Sequence, residues 1–428
     1  MKVVEGFEAA KTVLSRRSAR VFTDPREPAV RAIIEDVFKR GDKALLEYTA
    51  KFDGAQLEKL EISRAKIKAA YRNVSKELVS ALELAVERIT KFHVMQKERA
   101  LKSYTHGKTG WMVKPIEKIG VYAPGGTATY PSSVLMSAIP AKVAGAKELI
   151  LTSPAGKDGT IPASTLVAAD LAGIDRVFAL GGAQAIAALA FGTESVPKVD
   201  KICGPGNIYV FLAKKLLYGV VGIDGLWGPS EVVVIVDETS DANFAAADML
   251  AQAEHDALAS SILISTSKAK AYEVQKAVIL QTATAKRKEI IKKSLTDKGI
   301  VALVKNIDEA IELTNLFAPE HVCLLVADSD NYVERFTHAG CVIYGKFATE
   351  PMSDYVSGPS HVLPTEGTAR FTSPLNVMDF MKITNVSRVG DTLIRLAGPA
   401  AITIGEAEGL QAHARAVEWR LKKARKPK

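Results

Sequence analysis

The sequence predicts an α/β protein: two incomplete Rossmann-like domains, parallel sheets with flanking helices, between an N-terminal helical segment and a C-terminal helical extension. Three observations predict this. From 111 to 228, short apolar runs that end in glycine alternate with alanine-rich helical runs. A second alternation of the same kind fills 229 to 345. Strand and helix in strict alternation imply parallel strands joined by crossover helices. The flanks lack this texture.

In order along the chain, residues 1–110 read as helices that pack with the α/β core. "VRAIIEDVFKRGDKALLEYTAKF" and "VSALELAVERITKFHVMQKERA" carry apolar residues at three- and four-residue spacing. The first α/β domain offers the strands "IGVYAPGG", "ELILTSPAG", "RVFALGG" and "KICGPGN", with helices such as "ASTLVAADLAG" and "AQAIAALAFG" between them. In the second, "EVVVIVD", "SSILIST", "GIVALVK", "HVCLLVAD" and "CVIYGK" are the strands. Residues 346–428 begin as a loop-rich stretch with several Pro and Gly, and end in a helix from about 406 to 424.

Bulk properties exclude several classes. With 428 residues, 47% hydrophobic and 24% charged, the chain has the balance of a soluble globular protein with a large core. No run of about 18 apolar residues predicts a membrane span. The opening "MKVVEGFEAAKTVLSRRSAR" lacks the apolar core of a signal peptide, so a cytoplasmic location is expected. The net charge of +8 is spread along the chain and densest in "RLKKARKPK". Without aromatic-basic interleaving or zinc-finger spacing, no nucleic-acid partner is expected. Cys203, Cys323 and Cys341 form no CxxC pair and read as small core residues.

Two groups of residues carry chemistry. "YAPGGTATYP" (122–131), "GGAQAIAA" (181–188) and "CGPGNIYV" (203–210) each place glycine at a strand end before a helix. Such turns let backbone N–H groups approach an anionic ligand, although none is a GxGxxG. Of the seven histidines, four lie in stretches with other polar residues: His255 after Gln252, His321 after Glu320, His361 after Asp354 and His413 after Glu408. One helical turn separates Gln252 from His255. Gln252, His255, Asp354 and His413 could offer two oxygens and two nitrogens to zinc; satisfied core or surface histidines are the alternative. In "APEHV", Pro319 is expected to push Ala318 into an extended bend. Glu320–His321 then reads as an acid–base pair or as an exposed loop pair.

"GGAQAIAALAFGTESVPKVDKICGPGN", "GPSEVVVIVD", "AQAEHD", "FAPEHV", "SDYVSGPSHVLPT" and "EAEGLQAHARAV" together resemble histidinol dehydrogenase, over about residues 10 to 422. The resemblance implies two successive NAD-dependent oxidations of L-histidinol, through the aldehyde to L-histidine, as the last step of histidine biosynthesis. It implies one zinc ion per subunit held by Gln252, His255, Asp354 and His413, and NAD contacted by Tyr122, Gln184 and Asn207. Ser230, His321, His361 and Glu408 would line the substrate site with the metal ligands. Glu320 and His321 would be the catalytic pair. A homodimer with a shared active site is implied, with Glu408 and His413 on a dimer-exchanged helix. One departure stands out: the family commonly has a small residue before "GPSE", and here it is Trp227. That keeps open a related dehydrogenase of another small alcohol, such as sulfopropanediol.

Overall fold

The computed structural model describes residues 1–15, 24–100, 102–106, 109–125 and 129–424. Residues 126–128 of the first glycine turn and 425–428 of the basic tail lie outside the described residues. The chain forms two compact units: Met1–Ala100 with Pro115–Met381, and Leu101–Lys114 with Lys382–Lys428.

In the first unit both predicted alternations become parallel sheets. The first has the order Arg176–Ala179, Glu148–Ser153, Lys118–Tyr122, Lys201–Cys203, Gly222–Ile223. The second runs Lys2–Glu5, Ile300–Leu303, Ser260–Ser265, Glu231–Val236, His321–Leu324, Cys341–Tyr344. Central strands such as Glu231–Val236 are buried at every position, because helices cover both faces of a parallel sheet. Alternate residues feed opposite cores: Val232, Val234 and Val236 one, Val233 and Ile235 the other. The predicted N-terminal helices close the first sheet. Val30, Ile33, Ile34 and Val37 pack with Ile150 and Phe178 on one face, and Ile67, Leu82, Ala85 and Ile89 pack with Leu149 and Leu151 on the other.

Each sheet reverses its winding beside its first central strand. In the first sheet the reversal lies between Lys118–Tyr122 and Lys201–Cys203, whose carboxyl ends carry Tyr122 and the 204–207 turn. Open α/β sheets bind ligands at such a crevice. In the second sheet it lies between Glu231–Val236 and His321–Leu324. There the chemistry-bearing residues Ser230, Glu320 and His321 sit at the amino ends.

Three elements differ from the sequence reading. Lys2–Glu5 is an edge strand of the second sheet and not part of a helix; four residues are too few to show a period. In the second unit, Thr109–Pro115 lies between Tyr104–His106 and Met381–Ser387 in a three-stranded sheet. The expected single C-terminal helix is a pair, Asp391–Ala407 and Gln411–Ala424. Gly398 and Pro399 read as loop signals yet lie inside the first of these helices. Gly409, at a φ of 73° that glycine adopts without strain, turns the chain between them. Gly405 lets the two helices approach closely, since a Cβ there would stand 3.3 Å from the backbone of Ala414.

Candidate active site

Helix Ala242–Ala253 starts at Asp241, whose carboxylate caps the N–H groups of Asn243 and Phe244. It ends one residue after Gln252, and His255 follows in the adjoining turn, its N–H bonded to the Gln252 carbonyl at 3.2 Å. Helix Glu350–Tyr355 carries Glu350 and Asp354 four residues apart, on one face. His255, Glu350 and Asp354 converge: one ligand atom from each lies within 4.8 Å of the others.

A buried carboxylate ties these elements together. Asp248, one helical turn before Gln252, accepts from Thr349 Oγ1 at 2.6 Å and from Cys323 Sγ at 3.1 Å. The helix bearing Gln252, the strand that starts at His321 and the helix bearing Asp354 thus share one acceptor. Burial raises the Asp248 carboxyl above its ordinary range, against the pull of those two donors.

The loop before His321 is not extended as expected. Ala318 adopts φ 52° and ψ 65°, left-handed, with its N–H on the Thr314 carbonyl at 2.8 Å. Proline disfavours the right-handed helical region for the residue before it, and the helix end here takes the left-handed cap instead. The turn delivers Glu320 and His321 together into the interior, both buried. The Glu320 carboxylate accepts from the Glu231 N–H at 2.8 Å. His321 Nε2 faces Asp354 Oδ1 at 3.2 Å, and Nδ1 lies 3.9 Å from Glu320 Oε2, beyond hydrogen-bond reach. Nδ1 is buried and has no hydrogen-bond partner among the described residues.

Charge is concentrated here. Burial pushes the Glu320 carboxyl up to about 7, against the pull of His321. Burial likewise holds Glu350 well above the carboxylate range. It would raise Asp354 too, but the imidazoles of His321, His361 and His255 bring that carboxyl below its usual value. Burial would lower His321, yet Glu350, Asp354 and Glu320 together hold it well above an ordinary imidazole. Burial lowers His255 and His361, which favours the neutral ring that binds metal. His361 Nδ1 donates to the Asp354 carbonyl at 2.8 Å, which leaves Nε2 to accept from Ser133 Oγ at 3.3 Å.

These residues open onto a cavity of about 800 Å³ whose wall also includes Asn207, Trp227 and Ser230. The profile of the histidinol dehydrogenase family matches residues 16–421. The chain is 52% identical to the histidinol dehydrogenase of Dehalococcoides mccartyi (strain CBDB1), covering 98% of this chain and all of that one. It is 48% identical to that of Clostridium acetobutylicum, covering 92% of each. The crystal structure of histidinol dehydrogenase from Elizabethkingia anophelis superposes with a TM-score of 0.92 at 38% identity, covering 100% of this chain and 99% of that one. The chain belongs to the histidinol dehydrogenase family.

The residues carried over from that family fall into three sets. Ser230, His255, Glu320, His321, Asp354 and His361 line the cavity. Gln252 is fully buried. With its amide nitrogen toward Glu350, Gln252 donates to both carboxylate oxygens at 2.6 and 2.9 Å, and its oxygen accepts from the Glu231 N–H at 3.0 Å. The opposite orientation turns the amide oxygen toward the carboxylate, completing a cluster of acceptors alone that a cation would compensate. Glu408, in the turn between the two helices, and His413, in the first turn of the second helix, belong to the second unit, and both are exposed.

Of the three expected cofactor residues, Asn207 alone lines the cavity. It caps helix Ile208–Leu217, its side chain accepting from Tyr209 and Val210 N–H. Tyr122 and Gln184 are buried; the Tyr122 hydroxyl accepts from the Gly182 N–H at 3.1 Å and so fastens the second glycine turn. Burial raises the Tyr122 phenol to about 12, so it stays protonated.

Sequence reasoning missed Glu350. Its signal was the spacing in "EPMSDY", two acids four apart after a helix start.

Proposed function

We propose that this chain is the NAD- and zinc-dependent enzyme that oxidises L-histidinol twice, through the aldehyde, to L-histidine. One observation supports the reading most: the donors His255, Glu350 and Asp354 converge beside the Glu320–His321 pair, on a cavity shared with the turn that carries Asn207. The donor set suits a divalent cation, being half-buried imidazole and buried carboxylates with no lysine or arginine among them. The 204–207 turn suits a dinucleotide's phosphates, lying at the N-terminus of helix Ile208–Leu217; a Cβ at Gly206 would collide with Val210, so only glycine lets the turn pack this closely on that helix.

In this proposal Gln252, His255, Asp354 and the partner subunit's His413 hold the zinc. Bound zinc supplies an electron-pair acceptor for the substrate's nitrogens, and bound NAD an acceptor for hydride. Orientation by the ligand set and by Ser230, His361 and the partner subunit's Glu408 makes the reaction effectively unimolecular, an effect that can reach about 7–11 kcal/mol. His321, once in its neutral form, takes the hydroxyl proton as the carbinol carbon loses hydride; its unpaired Nδ1 is the atom available. Glu320 then removes a proton from water as the oxygen adds to the aldehyde carbon, and His321 returns its proton to the former carbonyl oxygen. The resulting hydrate loses a second hydride, and His321 collects the second hydroxyl proton, leaving a carboxylate. The homodimer is part of this proposal. The second unit's helix pair leaves Leu396 80% and Trp419 69% exposed, apolar surface that a partner subunit would cover.

The test is stoichiometric. L-Histidinol with excess NAD is expected to yield two NADH per molecule, chelation of the metal to abolish turnover, and sulfopropanediol to yield none. One NADH per histidinol, or preference for the sulfonate, overturns the proposal.

A further inference from the structure

Asp248 is 1% exposed and forms no part of the cavity wall, so it touches neither substrate nor cofactor. Its carboxylate accepts from Thr349 Oγ1 at 2.6 Å and from Cys323 Sγ at 3.1 Å. The backbone N–H of Glu350 adds a third, weaker pull. Each partner stands one short step from a residue of the candidate active site. Gln252 lies one helical turn after Asp248, on the same face of one helix. Cys323 lies two residues after His321 on one strand, so thiol and imidazole leave the same face of the sheet. Val322 and Leu324 pack into the opposite core. Thr349 directly precedes the helix that carries Glu350 and Asp354.

That helix, Glu350–Tyr355, has six residues, too few to be stable by its own hydrogen bonds. Thr349 occupies its N-cap, yet its side chain makes no capping bond and donates to Asp248 instead. A tertiary bond therefore sets where the helix begins. Its last turn carries Asp354, whose Oδ1 faces His321 Nε2 at 3.2 Å and whose carbonyl accepts from His361 Nδ1 at 2.8 Å. A shift of this short helix would move the Asp354 carboxylate, the partner of the acid–base imidazole and the anchor of His361 together. Misplacement by about 1 Å is enough to cost on the order of a hundredfold in rate.

We propose that Asp248 is a positioning residue of the metal site: it sets the distance between the helix that delivers Gln252 and His255 and the helix that carries Asp354, and ties both to the strand of His321. The inference rests on the dehydrogenase reading above. A carboxylate suits the task because its two oxygens accept from the hydroxyl and the thiol at once. An apolar residue in its place would leave both donors unpaired in the interior. Asp248 acts through other residues, and outer partners of this kind typically change metal affinity by about ten- to a hundredfold.

The test measures zinc binding to the full chain by competition with a chromogenic chelator, and NAD binding by calorimetry. Asp248→Ala is expected to weaken zinc binding roughly ten- to a hundredfold and to lower kcat for L-histidinol even at saturating zinc. Its dissociation constant for NAD is expected to change less than about twofold, because the 204–207 turn belongs to the other sheet. Asp248→Asn keeps one acceptor oxygen and is expected to recover part of the zinc affinity. Zinc affinity of Asp248→Ala within about threefold of the wild type, or equal losses for zinc and NAD, overturns the inference. If that variant does not fold, Thr349 decides. Thr349→Val removes the O–H and is expected to weaken zinc binding about tenfold, whereas Thr349→Ser keeps it and is expected to bind as the wild type does. A Thr349→Val protein that binds zinc as tightly as the wild type, or a Thr349→Ser protein that loses as much as Thr349→Val, overturns the inference. A wild-type protein that takes up no zinc overturns the metal reading itself, and the inference with it.

Discussion

The Lys214–Asp224 pair offers the sharpest test of how the cofactor turn is held. Side-chain exposures are 2% and 0%, and the charges stand 2.8 Å apart. At an effective dielectric of about 20 their attraction is about 6 kcal/mol, much of it offset by the cost of removing both from water. Lys214 Nζ also donates to the Gly204 carbonyl at 2.5 Å. Lys214→Met keeps the aliphatic stem but leaves Asp224 charged, buried and with N–H donors alone; it is expected to cost about 3–5 kcal/mol. Asp224→Asn strands the ammonium at a similar cost. The double variant retains an amide oxygen for the Gly204 and Trp227 donors and has no buried charge. It should cost less than the sum of the singles by about 2 kcal/mol or more. Urea unfolding of the four proteins measures the cycle, and the KM for NAD of each reports the turn. A loss below about 1 kcal/mol for Lys214→Met, or strict additivity, would refute the claim that the pair is desolvated and mutually compensating.

Three other outcomes follow from the same geometry. Glu320→Gln keeps an acceptor for the Glu231 N–H but cannot take a proton from water. The second oxidation should fall by about a hundredfold or more and the first far less; unchanged turnover of histidinaldehyde would remove Glu320 from its role. Gly204, at φ 108°, would place a Cβ against the Tyr122 carbonyl. Gly204→Ala should therefore lower stability by roughly 1–3 kcal/mol and weaken NAD binding, read by thermal unfolding and calorimetry. His93 is fully buried, and burial lowers its imidazole to about 4, against an unfolded value of 6.5. Between these values the unfolded chain binds the proton and the folded one does not. Stability is full above about pH 6.5 and declines as pH falls toward 4, by about 3 kcal/mol in all. A stability–pH curve that His93→Leu leaves unchanged in this window would show that the ring is not held neutral.

Much was legible in the chain because it depends on near neighbours. Apolar periodicity located the helices at 27–40 and 76–99. Alternation of strand and helix announced both parallel sheets, and glycines marked the strand ends at Tyr122 and Cys203. The Gln252–His255, Glu320–His321 and Asp354–His361 pairs stood out as polar residues in apolar or glycine-rich surroundings. Where local signals conflict, the reading failed. Pro319 masked the left-handed Ala318, and Gly398 with Pro399 hid a helix that its packing against Gln411–Ala424 sustains.

Convergence itself belonged to the tertiary structure. The sequence by itself determined which residue types were available and which element each sat on. Packing alone decided that Glu350, absent from every motif, would stand with His255 and Asp354, and that Asp248 would tie their helices to the strand of His321. It also decided that Trp227 would be both core and cavity wall, because Gly225 leaves room for an indole and Asp224 holds its nitrogen. The physical reason is desolvation. A carboxylate or imidazole acquires its charge state, its partners and its reach only when distant segments close around it and exclude water.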